Sequence, residues 1–222
     1  MSDKDIKTVG RRNLLTNLGV TAVAGLATGA ALSTPTQAAQ SAGFEPARHG
    51  NDAWLGELPG SHRVFIDSST LEGGANALRF ASNIIKSHIE EYEGKASDYA
   101  LVVCFRHGSA SYGFGDALWA KYSSILGRDM DQAPKSNPMN TASAANGQNS
   151  IAAMVKDGIQ FAICKRSSRR IAAGIAEATG VTPDEAFAEL VAGAIPNAHF
   201  VAAGVMAATR AQEYSYSLLY SE

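Results

Sequence analysis

From residue 62 onward, short continuous apolar runs alternate with longer stretches in which apolar residues recur at helical spacing. Residues 63–67 (RVFID), 99–105 (YALVVCF), 159–164 (IQFAIC), 197–201 (NAHFV) and 214–220 (YSYSLLY) read as strands. Between them, 75–92 carries Leu78, Ala81, Ile85 and Ile89 at helical intervals, and 116–126, 150–156, 169–178 and 205–212 also predict helices. Asp116 is a candidate N-cap, Gly158 and Gly180 are stop signals, and Thr182-Pro183-Asp184-Glu185 has the cap and first-turn proline of a further helix start. Strands separated by helices of ten or more residues imply parallel pairing through right-handed crossovers. The expected fold is therefore α/β, three layers (α/β/α) around a mainly parallel sheet of about five strands. In such sheets, ligands gather at the carboxyl ends of the strands, which singles out 67–74, 106–115 and 164–170.

The chain before residue 62 has a different texture. Arg11 and Arg12 precede a segment, 14–32, rich in Ala, Gly and Thr and free of charge; the stretch GRRNLLT resembles a twin-arginine export signal. Thr36-Gln37-Ala38 supplies small residues for cleavage after Ala38, so 1–38 reads as a signal peptide and the mature protein as periplasmic or otherwise exported. A Sec signal and an uncleaved membrane helix are the alternatives. Twin-arginine export makes the translocase a partner and implies that the chain folds before it crosses. Residues 39–60, with Gly43, Pro46, Gly50, Gly56, Pro59 and Gly60, read as a tether that Trp54 and Leu55 can pin, leaving 61–222 as one domain. The segment 127–147, with Pro134 and Pro138, is long for a connection in a compact domain, and such loops cover a site, reach a neighbouring subunit or stay disordered.

Charge narrows the classes of function. The formal charge is −2, and cleavage removes four basic and two acidic residues, taking it to −4. No basic stripe with interleaved aromatics is present, so nucleic acid is not an expected partner. Two cysteines in an exported chain invite a disulfide, but Cys104 and Cys164 would sit at different depths of aligned parallel strands, beyond the bridging limit of about 7 Å. No cofactor is called for: the loop 67–74 lacks a P-loop lysine, and its glycines miss the dinucleotide fingerprint. A metal pair of Cys104 and His107 is not expected either, since residues three apart on a strand face opposite ways.

Cys164 is the leading candidate for chemistry. It falls where a strand ends and a helix begins, close to Lys165, Arg166, Arg169 and Arg170, and both a helix N-terminus and nearby cations favour thiolate over thiol. His107, ending the preceding strand, can face the same crevice as a proton donor or acceptor or as a thiolate partner. Ser69, Gly73 and Gly74 offer hydroxyl and amide groups to an anion, or simply form a tight turn. Tyr112, Phe114, Trp119 and Tyr122 can line a pocket or interface, or belong to the core.

The segment 158–170 (GIQFAICKRSSRR) resembles the part of the DsrE/TusD-like sulfur-relay family in which a strand ends in a persulfide-carrying cysteine. The stretch 197–204 (NAHFVAAG) and the ending 213–219 (EYSYSLL) look like that family's last strand–helix–strand unit. The resemblance spans roughly 62–220, and Cys164 is its one matching functional position. It implies a three-layer fold, assembly as a homo-oligomer (trimer or hexamer), and sulfur passed from a donor protein to an acceptor protein. The expectation is thus an exported sulfur carrier that binds or transfers sulfane sulfur on Cys164, with His107 assisting and Lys165 and Arg166 holding the anion. The rival is a non-catalytic oligomeric module that binds a small anion or a partner; a nucleotide- or flavin-binding protein is the weakest reading.

Overall fold

The computed structural model describes residues 45–222, so the expected export signal at Arg11 and Arg12 and the expected cleavage near Ala38 lie outside the described residues. Five strands, β1 (His62–Ser68), β2 (Tyr99–Phe105), β3 (Gln160–Cys164), β4 (Ala198–Val201) and β5 (Ser217–Ser221), form one sheet in the order β4-β3-β2-β1-β5, all parallel. β2 and β3 are buried along almost their whole length, as strands covered on both faces must be.

Handedness decides which face each helix covers. The chain steps from β1 to β2, β3 and β4 in one direction, so right-handed crossovers put α2 (Leu71–Tyr92), α3 (Asp116–Leu126), α4 (Ile151–Lys156), α5 (Lys165–Thr179) and α6 (Pro183–Ala192) on one side. The return from β4 to β5 runs the other way and carries α7 (Gly204–Glu213) to the opposite face. The cores follow this division. Ile66, Leu101, Val103, Phe105, Phe161 and Ile163 pack against the five-helix layer with Trp119 and Leu78, all but fully buried. On the other face Phe65, Val102, Cys104 and Ala162 meet Ala207, Ala208 and Ala211, whose small side chains let α7 lie close to the sheet.

The segment before β1 completes that second layer. Leu55, in the single turn α1 (Trp54–Glu57), is buried, and its carbonyl accepts from the Tyr216 hydroxyl (2.8 Å) and from Arg63 Nη1 (2.7 Å). Trp54 stacks on His199 with ring centres 3.9 Å apart, as the pinning expectation required. The long segment 127–147 is packed rather than loose: Asn137 and Asn146 are fully buried, and the Asn137 amide donates to the carbonyls of Tyr112 and Phe114. Tyr112, Phe114, Trp119 and Tyr122 all belong to the larger core. Among the described residues no helix is long and apolar enough to cross a membrane.

Element starts differ from the sequence pattern where caps intervene. α2 begins at Leu71, not 75, because Thr70 caps it by accepting from the Gly73 N–H (2.8 Å), which draws Gly73 and Gly74 into the first turn. Gly115, not Asp116, is the cap of α3; the Asp116 carboxylate instead accepts from the Asn137 N–H (2.8 Å) and the Asn140 amide (2.9 Å). α5 follows β3 without a linker, so Cys164 is at once the last strand residue and the helix cap.

Candidate functional site

Parallel pairing brings three carboxyl ends together. β2 and β3 pair Phe105 with Ile163, which sets Cys164 one step further, beside Arg106, while Cys104 stands opposite Ala162. The two cysteines are therefore offset by two residues on one face of the sheet, and both are free thiols.

Around Cys164 the backbone supplies the electrostatics. α5 starts immediately after it, and α7 starts immediately after the turn that follows β4, so two helix N-termini converge on one sulfur. The Ser167 hydroxyl and the N–H groups of Gly204, Ser167 and Arg166 are the groups that favour its thiolate. Burial alone would raise this thiol; these groups outweigh it and hold its pKa below that of an ordinary cysteine. Cys104 is the contrast. Complete burial, with the Asp67 carboxylate second, pushes its pKa well up and keeps it a thiol. Cys164 is 5% exposed and opens onto a pocket of about 320 Å³, whereas Cys104 has no exposure at all.

Arg106, His107, Arg166 and Arg170 share that pocket's wall with Cys164. Arg106 is locked by Asp67, which accepts from Nε at 2.8 and 3.1 Å and from Nη2 at 2.8 Å; these hydrogen bonds, ahead of the opposing effect of burial, raise the guanidinium's pKa. Its remaining nitrogen, Nη1, donates to His107 Nδ1 at 2.7 Å. Since arginine cannot give up its proton, that contact makes Nδ1 the acceptor and leaves the neutral ring's proton on Nε2. His107 itself sits at φ 50°, in the left-handed region, and its N–H donates to Ser167 Oγ (2.9 Å), freeing the hydroxyl proton for the cysteine. Gly204 must be glycine here: a Cβ would lie 2.7 Å from Arg106 Cδ and 2.9 Å from its Cβ.

The other residues singled out from sequence lie elsewhere. Lys165 is exposed and lines a separate hollow with Asp52 and Arg210. The cause is helical geometry: consecutive residues diverge by about 100°, whereas Arg166 and Arg170, four apart, share a face. Ser69 bonds the Tyr220 hydroxyl at 2.7 Å across the β1–β5 edge. Gly73 and Gly74 are buried at packing contacts; a Cβ on Gly73 would strike the Ser221 carbonyl, and one on Gly74 the Tyr112 ring at 2.7 Å. Asp67, Arg106 and Ser167, which fall in the segments singled out from sequence but were given no role there, complete the site with Gly204, which the sequence did not mark, and with Arg170, named only as one of four clustered cations. The i, i+4 spacing of Arg166 and Arg170 was the signal that these two of the four cations share a helix face. Among the described residues, no group of three or more His, Cys, Asp and Glu is placed to hold a metal ion. No protein-family model matches this chain, and no curated protein sequence matches it.

Proposed function

We propose that this protein is an exported sulfur carrier of the DsrE/TusD-like kind, with Cys164 accepting sulfane sulfur as a persulfide and passing it to an acceptor. The observation that carries the reading is the setting of Cys164: a free thiol at the edge of a pocket, where two helix N-termini meet and the surrounding N–H groups and the Ser167 hydroxyl lower its pKa. A persulfide terminus is itself anionic, so the same converging N–H groups and arginines favour the loaded form. His107, with its proton fixed on Nε2 by Arg106, is the group at hand to donate to that terminus. Export, the homo-oligomer and a donor or acceptor protein belong to this proposal through the resemblance.

The rival reading, a module that binds a small anion without chemistry, draws on the same two arginines, Arg166 and Arg170, lining the pocket. Intact mass after exposure to a sulfane donor separates the two. The carrier gains one sulfur, mapped to the Cys164 peptide and absent from Cys164→Ser; a binding module gains none.

A further inference from the structure

The charge at the start of α5 runs against helix physics. Lys165, Arg166, Arg169 and Arg170 occupy its first two turns, and no acidic residue balances them in the first. Unsatisfied N–H groups already make that end positive, so cations there are destabilising, and like charges four apart repel. Two of the four are accounted for. Arg169 pairs with Asp184 (3.0 Å) and lies over the Phe187 ring (4.4 Å), and Lys165 turns to another hollow. Arg166 and Arg170 have neither an ion pair nor a side-chain hydrogen bond among the described residues, and both line the pocket with Cys164. Arg106 adds no net charge, since Asp67 neutralises it. One thiolate therefore faces two uncompensated guanidinium groups, and the surplus positive charge is placed for a second anion beside the sulfur.

We infer that the sulfur donor at this pocket is a small dianion whose leaving group is an oxyanion, thiosulfate being the simplest, held by Arg166 and Arg170 next to Cys164. The inference rests on the carrier reading and deepens it by naming the substrate class. Attack of a thiolate on an anionic donor is opposed by charge repulsion, and paired guanidinium groups remove that barrier while binding oxygens in planar forks. A pocket of about 320 Å³, at the small end of ligand sites, has room for such an ion with its water. The step balances without a further reagent. The Cys164 thiolate attacks the outer sulfur of thiosulfate, a new S–S bond forms on the cysteine, the S–S bond of thiosulfate breaks, and sulfite leaves with the electron pair.

Two measurements test it. Calorimetry of thiosulfate with Cys164→Ser reads binding without transfer; adding either Arg166→Ala or Arg170→Ala weakens that binding by about tenfold or more, whereas adding Arg169→Ala, which likewise removes one positive charge but outside the pocket, leaves it within about twofold. Mass spectrometry of the unaltered protein then compares thiosulfate with inorganic polysulfide, and one added sulfur on Cys164 is expected from both. Sulfur gained from polysulfide with no thiosulfate binding, or with binding indifferent to Arg166 and Arg170, overturns this inference and leaves the carrier reading standing. Sulfur gained from neither donor overturns the carrier reading, and the inference falls with it.

Discussion

Asp67, Arg106, His107, Ser167 and Cys164 form a chain of contacts in which each side chain fixes the next. Asp67 orients Arg106, Arg106 sets the His107 tautomer, the His107 N–H occupies the Ser167 oxygen, and the Ser167 hydroxyl in turn favours the thiolate of Cys164. Asp67 and Arg106 are nearly buried, at 8% and 12% side-chain exposure, so removing one strands the other's charge. Asp67→Ala is expected to cost about 3 kcal/mol in urea unfolding; a loss within 0.5 kcal/mol, the ordinary range of a surface change, would show that the pair holds nothing in place. Little of this chain was legible in the sequence. Cys164 and His107 stand out because each ends an apolar run, but Asp67 and Arg106 are 39 residues apart and meet only through the β1–β2 register. Ser167 and Gly204 look like ordinary helix-start residues until two elements converge.

The elements themselves were far easier to read. Continuous apolar runs between helical periodicities announce covered parallel strands, and all five expected strands form, most within a residue of their expected ends; the last starts at Ser217 instead of Tyr214, which serves as the C-cap of α7. Periodicity could not show which of four clustered cations on α5 would share a face with the thiol; rotation about the helix axis decides that, and it favours Arg166 with Arg170 over Lys165 with Arg166. On β4, His199 is stacked against Trp54 and bonded through Nε2 to Gln160 Oε1 (3.0 Å), and burial lowers its pKa from 6.5. Its neutral form is the one the fold accepts, so the unfolded chain takes up a proton first as pH falls below about 6.5. Stability is therefore full above that point and declines on the acid side until the folded ring protonates too. Urea midpoints at pH ~7.5 and ~5.5 are expected to converge in His199→Gln relative to the unaltered protein; an unchanged gap would place the acid sensitivity elsewhere.

At the scale of the molecule, the topology leaves one sheet face under α7 and the segment before β1, and one edge strand apolar. Leu218, Leu219 and Tyr220 on β5 are 40, 38 and 51% exposed, and Val205 and Met206 at the start of α7 are 55 and 50% exposed. An open parallel edge with such side chains is a ready surface for pairing. The proposed homo-oligomer would cover it, and Leu218→Lys is then expected to lower the mass measured by sedimentation toward one chain; a monomer before and after the change would contradict assembly through this edge. Everything proposed for the site depends on an ionised and reachable sulfur at the tip of β3, in the intact folded protein. Alkylation of the native protein across pH, read peptide by peptide, tests this most directly. Cys164 is expected to label with a midpoint below the ~8.5 of an ordinary thiol while Cys104 stays unlabelled; a Cys164 that resists the reagent, or that labels only at or above that pH, contradicts the account.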